Sequence, residues 1–147
     1  MKPDAVQLLN VSALQLFSQI APLLPQGYPQ GTASLVAILL MIAARECERG
    51  AEIRATENAE MRALLAGLAR FAPDSDLKAH LLFAAGESEP ALTISALDAA
   101  NHELRRLLIQ LQSAVEDLPG ADAREAERRI WKVLRASADR RLIPAPI

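Results

Sequence analysis

The sequence is poor in the residues that usually carry chemistry. Cys47 is the only cysteine among 147 residues, so an intramolecular disulfide is impossible and an oxidising compartment is not implied. Glu46 and Glu48 flank Cys47, and their negative charges oppose the thiolate form that a nucleophilic cysteine needs. The six glycines form neither a Gly-x-Gly-x-x-Gly pattern nor a Walker-type loop. No phosphate cradle or thiol nucleophile is therefore predicted.

Candidate metal ligands are equally scarce. The closest pair is Asp98 and His102, four residues apart on one helix face, and that face is the polar one, where a solvated pair is expected. His80 stands beside Leu77 and Leu81, which favours a partly buried histidine with one hydrogen bond over a general base. The sequence predicts no catalytic residue, no metal site and no cofactor.

Membrane and export signals are also missing from the pattern. The chain begins with one basic residue followed by an acid and an amphipathic stretch, which is not typical of a secretory signal. The most apolar run, Leu35–Ala44, ends at Arg45 and is shorter than the roughly 20 residues of a membrane span. We therefore expect a cytoplasmic protein with no membrane contact, in which this run is a buried core helix.

β-Branched residues are few. Ala and Leu together supply 52 residues, whereas Val, Ile and Thr supply 17, so strong helix formers outnumber β-formers threefold. This ratio predicts an all-α fold.

Apolar spacings of three and four residues, interrupted by Pro and Gly, divide the chain into helices. Thr32 or Ser34 is expected to cap the second one, and Gly50 is either a stop or an interruption within a longer helix. We predict one domain over residues 1–147, a compact bundle of five or six helices with two long C-terminal ones. The expected helices are about 4–21, 32–49, 51–71, 75–86, 94–118 and 121–141.

The helix at 94–118 carries a near-heptad apolar stripe broken by Asn101. Taken alone, the stripe fits a coiled coil whose Asn sets the register. Ala100, Leu107 and Ala114 widen it to three positions in seven, which favours a helix packed inside a bundle.

The last helix carries the one basic stripe, because the region from Asp122 onward has seven basic and four acidic residues in a chain of net charge −2. Arg128, Lys132 and Arg135 recur at spacings of four and three beside Trp131. Such a stripe could bind an anion. Acidic neighbours and the acidic chain favour an ordinary solvated surface.

Part of the chain resembles a known family. Val36–Gly50, Met61–Leu65 and Phe83–Glu87, within residues 32–88, resemble a small bacterial all-helical family of unknown function. Its members tend to be encoded near acyl-CoA dehydrogenases and aminoglycoside-phosphotransferase-like kinases. The resemblance implies a helical fold and no functional residue.

The functional expectation follows from these exclusions. With 51% hydrophobic residues and two long amphipathic helices, the chain has apolar surface to spare, which indicates a non-enzymatic interaction or accessory protein that forms a homodimer and can bind a protein partner. One alternative is a binding protein for an acyl or CoA-like anion. A second alternative is weak nucleic-acid binding through the C-terminal basic helix.

Overall fold

The structure is a computed structural model that describes residues 4–89 and 91–142. The described residues are 86% helical and include no strand, so the all-α prediction is confirmed. The α-helices are α1 (Ala5–Gln15), α2 (Tyr28–Leu68), α3 (Ser75–Gly86), α4 (Ile94–Glu116) and α5 (Ala121–Arg141).

The first helix is longer than its α-helical part. The Asp4 carboxylate accepts a hydrogen bond from the Val6 N–H at 3.1 Å and caps α1. A π-helical turn (Leu16–Ile20) and a 3-10 turn (Ala21–Leu23) then continue the helix. Pro22 is tolerated because it lies at the start of the 3-10 turn, where its missing N–H removes no helical bond. The helical stretch therefore ends slightly later than the predicted Ala21.

The helix α2 is one continuous element of 41 residues. It begins at Tyr28, so the predicted caps Thr32 and Ser34 are wrong. Their hydroxyls donate instead to the carbonyls of Tyr28 at 2.8 Å and Gln30 at 3.0 Å, a bond that Ser and Thr make inside helices. Gly50 lies within the helix and does not end it.

Short-range signals set the bounds of the later helices. Asp74 caps α3 by accepting from the Leu77 N–H at 2.7 Å, and Thr93 caps α4. A 3-10 turn, Ala69–Phe71, follows α2, and Pro73 separates this turn from α3. Gly120 precedes α5 and has a φ of 111°. This backbone conformation is unfavourable for residues that have a Cβ atom. The predicted helices 75–86 and 121–141 match α3 and α5.

Contacts divide the described chain into two compact units, which we call the N-terminal unit (residues 4–50) and the C-terminal unit (Ala51–Leu142). The C-terminal unit holds an apolar core built from the end of α2 and from α3, α4 and α5. The single compact bundle stays a prediction. The core side chains are Met61, Leu64, Leu65, Leu68, Ala69, Leu81, Leu104, Leu107, Leu108, Leu111, Val115, Ala123, Ala126 and Ile130.

Candidate functional site

The N-terminal unit has an inverted distribution of apolar side chains. Its buried apolar residues are all alanines, whereas none of its large apolar residues is buried: eleven are exposed and seven are half-buried. Leu35 and Leu39 are each more than half exposed, so the expectation that Leu35–Ala44 is a buried core helix is wrong. We call the exposed large apolar side chains of this unit the N-terminal apolar surface: Leu8, Val11, Leu14, Phe17, Ile20, Leu23, Tyr28, Leu35, Val36, Leu39 and Met41.

The same region carries no charge. No Asp, Glu, Lys, Arg or His occurs from Ala5 to Ala44, a stretch of 40 residues. This stretch was the signal in the sequence that could have marked the surface, because solvent-exposed helix faces normally carry charged residues.

Length and composition also make one stretch a candidate membrane span. The helical segment Tyr28–Phe71 contains an 18-residue window that is apolar enough to cross a membrane, and only 17% of that window is buried. Core helices of soluble proteins pass the same test when they are mostly buried, which this window is not.

The predicted basic residues lie together in the C-terminal unit. Arg128, Trp131, Lys132 and Arg135 line one open groove of about 510 Å³ along the outer face of α5, with Ala136 and Asp139 completing it. Trp131 is about half exposed, at 54%. The structure thus brings all four predicted residues to one surface, because residues three and four positions apart lie on the same face of a helix.

The charges of the groove are partly compensated. Arg128 Nε donates to the Glu125 carboxylate at 2.9 Å, and Asp139 places a negative charge in the lining. Lys132 and Arg135 form no ion pair within residues 4–89 and 91–142. Lys132 also borders a second open groove of about 360 Å³, beside Arg129 and Glu60. The groove therefore offers two unpaired cations next to an exposed indole.

A buried polar network joins α2, α4 and α5 inside the C-terminal unit. The Asn101 carboxamide donates to Asn58 Oδ1 at 2.8 Å, and Asn58 Nδ2 donates to the Leu97 carbonyl at 3.0 Å. Arg105 Nε donates to Asn101 Oδ1 at 2.7 Å, and its Nη2 donates to the Ser137 hydroxyl at 2.9 Å. Each of these buried amides thus has partners, as burial requires.

Glu57 is the charged member of this network. Its side chain is 1% exposed and accepts two hydrogen bonds from the Arg141 guanidinium, at 2.9 and 2.6 Å. Burial by itself would raise the pKa of Glu57, but hydrogen bonds from Arg141 and Ser137 and the charges of Arg141 and Arg105 outweigh it and lower that pKa. Glu57 is thus buried, although the glutamates and arginines that alternate around it in the sequence are typical of a solvated helix surface.

The other candidate residues of the sequence, Asp98, His102, His80 and Cys47, do not come together in one site. Asp98 is half-buried and accepts a hydrogen bond from Arg54 Nε at 2.6 Å, so it is not the solvated partner of His102 that was predicted. His80 is exposed rather than partly buried, and His102 and Cys47 are exposed as well. Within residues 4–89 and 91–142, no three His, Cys, Asp or Glu side chains cluster to hold a metal ion.

The chain matches no protein-family model, no curated protein and no solved structure. The resemblance of residues 32–88 to a helical family stays a prediction.

Proposed function

We propose that this chain is a non-enzymatic interaction protein that binds another helical protein surface through its N-terminal apolar surface. The observation that carries the proposal is the set of eleven large apolar side chains exposed in one unit without a single charge among residues 5–44. Exposed apolar surface on this scale marks protein or membrane contacts.

The energetic argument uses the exposed fractions. Together the eleven side chains expose the equivalent of about six whole ones, and full burial of a Leu, Val or Phe side chain contributes about 1.5–3 kcal/mol. Covering the surface would therefore stabilise a complex by about 9–18 kcal/mol before the costs of association, which are on the order of 4–15 kcal/mol. At mid-range values of both, about 13 and about 9 kcal/mol, a net gain of about 4 kcal/mol remains for a partner that covers the whole surface.

In-cell photo-crosslinking tests this function. A benzophenone derivative of phenylalanine replaces Leu35, and the matched control carries it at Ile109, an apolar residue of α4 that is 68% exposed in the C-terminal unit. We expect irradiation to join position 35, and not position 109, covalently to a polypeptide. Adducts with lipid alone, or no adduct at position 35, would contradict the proposal.

The α5 groove supports a second candidate function, the binding of an aromatic anion such as a nucleotide or an acyl-CoA. Lys132 and Arg135 would bind phosphate oxygens while the Trp131 indole stacks on a base. The supporting observation is that all four residues line one groove, two of them as unpaired cations. Because the groove is open, affinity would come mainly from charge.

Salt dependence tests this second function. Titration of Trp131 fluorescence with an oligonucleotide should show a dissociation constant that rises roughly ten- to forty-fold between 50 and 200 mM salt, for two to three phosphate contacts. The variant carrying Arg128→Glu, Lys132→Glu and Arg135→Glu should lose binding, whereas Arg106→Glu on α4 should keep it. An acyl-CoA titrated in parallel distinguishes the two ligands. Failure of both ligands to bind at 50 mM salt would rule out the groove as a site.

A further inference from the structure

We infer that the partner of the N-terminal apolar surface is a second copy of this chain, and that two N-terminal units close a four-helix bundle. This inference rests on the proposed function and names its partner. Each copy would contribute its first helical stretch, Ala5–Leu23, and the first part of α2.

The size of the buried side chains shows that each unit lacks its core. The only fully buried apolar side chains among the described residues of the unit are those of Ala13, Ala21, Ala33, Ala37 and Ala44, and its large apolar side chains are at most half-buried. In a finished water-soluble fold the large aliphatic and aromatic side chains are the ones removed from water. The missing core must come from outside the unit.

The spacing along α2 is that of a helix seam. Tyr28, Thr32, Leu35, Leu39 and Ile42 alternate at spacings of four and three; the first four are exposed and Ile42 is half-buried. A 3-4 alternation places residues on one line when two helices cross at about 20°, as in four-helix bundles. The α2 helices of two copies can therefore pack along this line.

The absence of charge suits pairing of the surface with itself. A two-fold dimer places the same patch of both copies in contact, so any charge in the patch would meet its like near the axis. With no Asp, Glu, Lys, Arg or His from Ala5 to Ala44, no side chain of the patch is charged at pH 7 and this repulsion does not arise. A surface evolved for a charged partner would carry complementary charges instead.

The area is of the order that a dimer needs. Full burial of one large apolar side chain removes roughly 60–120 Å² from water, so the equivalent of about six such side chains amounts to roughly 400–700 Å² per copy. Specific interfaces bury about 800 Å² per partner, of which somewhat more than half is apolar. The surface thus supplies the apolar part of one standard interface.

A bilayer fits the same unit less well. The exposed amides Gln7, Asn10, Gln15 and Gln19 lie along the first helical stretch, and each would lose water in hydrocarbon without a partner. In α2 the uncharged part, Tyr28–Ala44, has 17 residues before Arg45, the lower limit for a span. At the rim of a protein interface the same amides keep their water.

Sedimentation equilibrium of the full chain tests the inference. We expect wild-type protein at micromolar concentration to have twice the 15.9 kDa chain mass. The variant Leu35→Lys with Leu39→Lys should raise the dimer dissociation constant at least about a hundredfold, because two central apolar contacts are replaced by four charges. The control variant Leu92→Lys with Ile109→Lys, at exposed positions of the C-terminal unit, should remain a dimer.

Circular dichroism confirms that the variants stay helical, and Leu35→Gln with Leu39→Gln replaces the lysine variant if that one unfolds. A wild-type monomer, or a dimer unaffected by either pair at positions 35 and 39, would overturn the inference. If the wild type is a monomer yet position 35 crosslinks to a polypeptide of another mass, the inference fails and the proposed function survives. If the wild type floats with phosphatidylglycerol vesicles and forms no dimer in solution, both the inference and the proposed function are overturned.

Discussion

Asn101 lies on the buried face of α4 between Leu97 and Leu104, where an apolar side chain would pack without any hydrogen bond to satisfy. Its carboxamide is held by Asn58 of α2 and by Arg105, and the Asn58 amide reaches on to the Leu97 carbonyl. Shifting α4 along α2 by one turn would leave these groups buried without partners. The pair therefore fixes the register of the two helices, the role that buried Asn pairs play in coiled coils.

Replacement of Asn101 tests this role. Asn101→Ala should lower the free energy of unfolding by about 1–3 kcal/mol, because Asn58 and Arg105 lose a buried partner. His102→Ala, at the exposed neighbouring position, should change it by less than about 0.5 kcal/mol. Urea denaturation followed by circular dichroism measures both. Equal midpoints for the two variants would show that the network contributes no stability.

Glu57 makes stability depend on acid. The pKa of Glu57 is lower in the folded protein than in the unfolded chain, so ionised Glu57 adds to the free energy of unfolding. This contribution is complete above the ordinary pKa of glutamate and is lost as the pH falls through the lowered pKa. Glu57→Gln should be less stable than wild type at pH 7, and the difference should shrink as pH falls below about 4.5. Urea denaturation between pH 7 and 3 measures this. The exposed control Glu103→Gln should follow the wild type, and a constant gap for Glu57→Gln would contradict the assignment.

At the scale of elements, α2 runs through Gly50 although a glycine inside a helix costs about 1 kcal/mol relative to alanine. Continuation keeps the backbone hydrogen bonds of both flanking stretches, whereas a break would expose several of them, so the small penalty does not end the helix. Between α4 and α5 the helix does end, because Pro119 cannot continue it and Gly120 adopts a positive φ of 111° that other residues rarely adopt.

Two glycine substitutions should have opposite effects. At Gly67, near the end of α2, an added Cβ would meet only the flexible tip of Arg129, at 2.7 Å from Nη2, so Gly67→Ala should raise stability by about 0.5–1 kcal/mol. Gly120→Ala should lower it by about 1–3 kcal/mol, since φ of 111° with extended ψ is essentially restricted to glycine. Thermal unfolding of the two variants compares them, and a loss of stability at Gly67 would show that Arg129 cannot move aside.

At the scale of the whole chain, charge is strongly segregated. Residues 5–44 have none, whereas the stretch from Asp122 onward carries seven basic and four acidic residues. Several of those bases form ion pairs within the chain, as Arg140 does with Glu60, whose hydrogen bond raises the pKa of Arg140. The surface that differs most from an ordinary solvated helix is therefore the apolar one, and the basic groove comes second.

Local pattern determined a definite part of this protein. The excess of Ala and Leu made it helical, Asp74 and Thr93 started helices, and Pro119 with Gly120 separated α4 from α5. The grouping of Arg128, Trp131, Lys132 and Arg135 was equally local, because residues three and four apart share a helix face whatever lies opposite. Such features depend on neighbours in sequence and can be predicted from it.

Burial was decided by the tertiary structure. Glu57 recurs at helical spacing with Ile53 and Met61, yet a carboxylate is normally solvated, and it is buried here because Arg141, 84 positions away, neutralises it inside the protein. Leu35 and Leu39 lie in a run that has the composition of a buried core helix, yet both are more than half exposed. Periodicity specifies which side chains share a face, but which partner lies against that face depends on contacts between residues distant in sequence, and these form only when the chain folds.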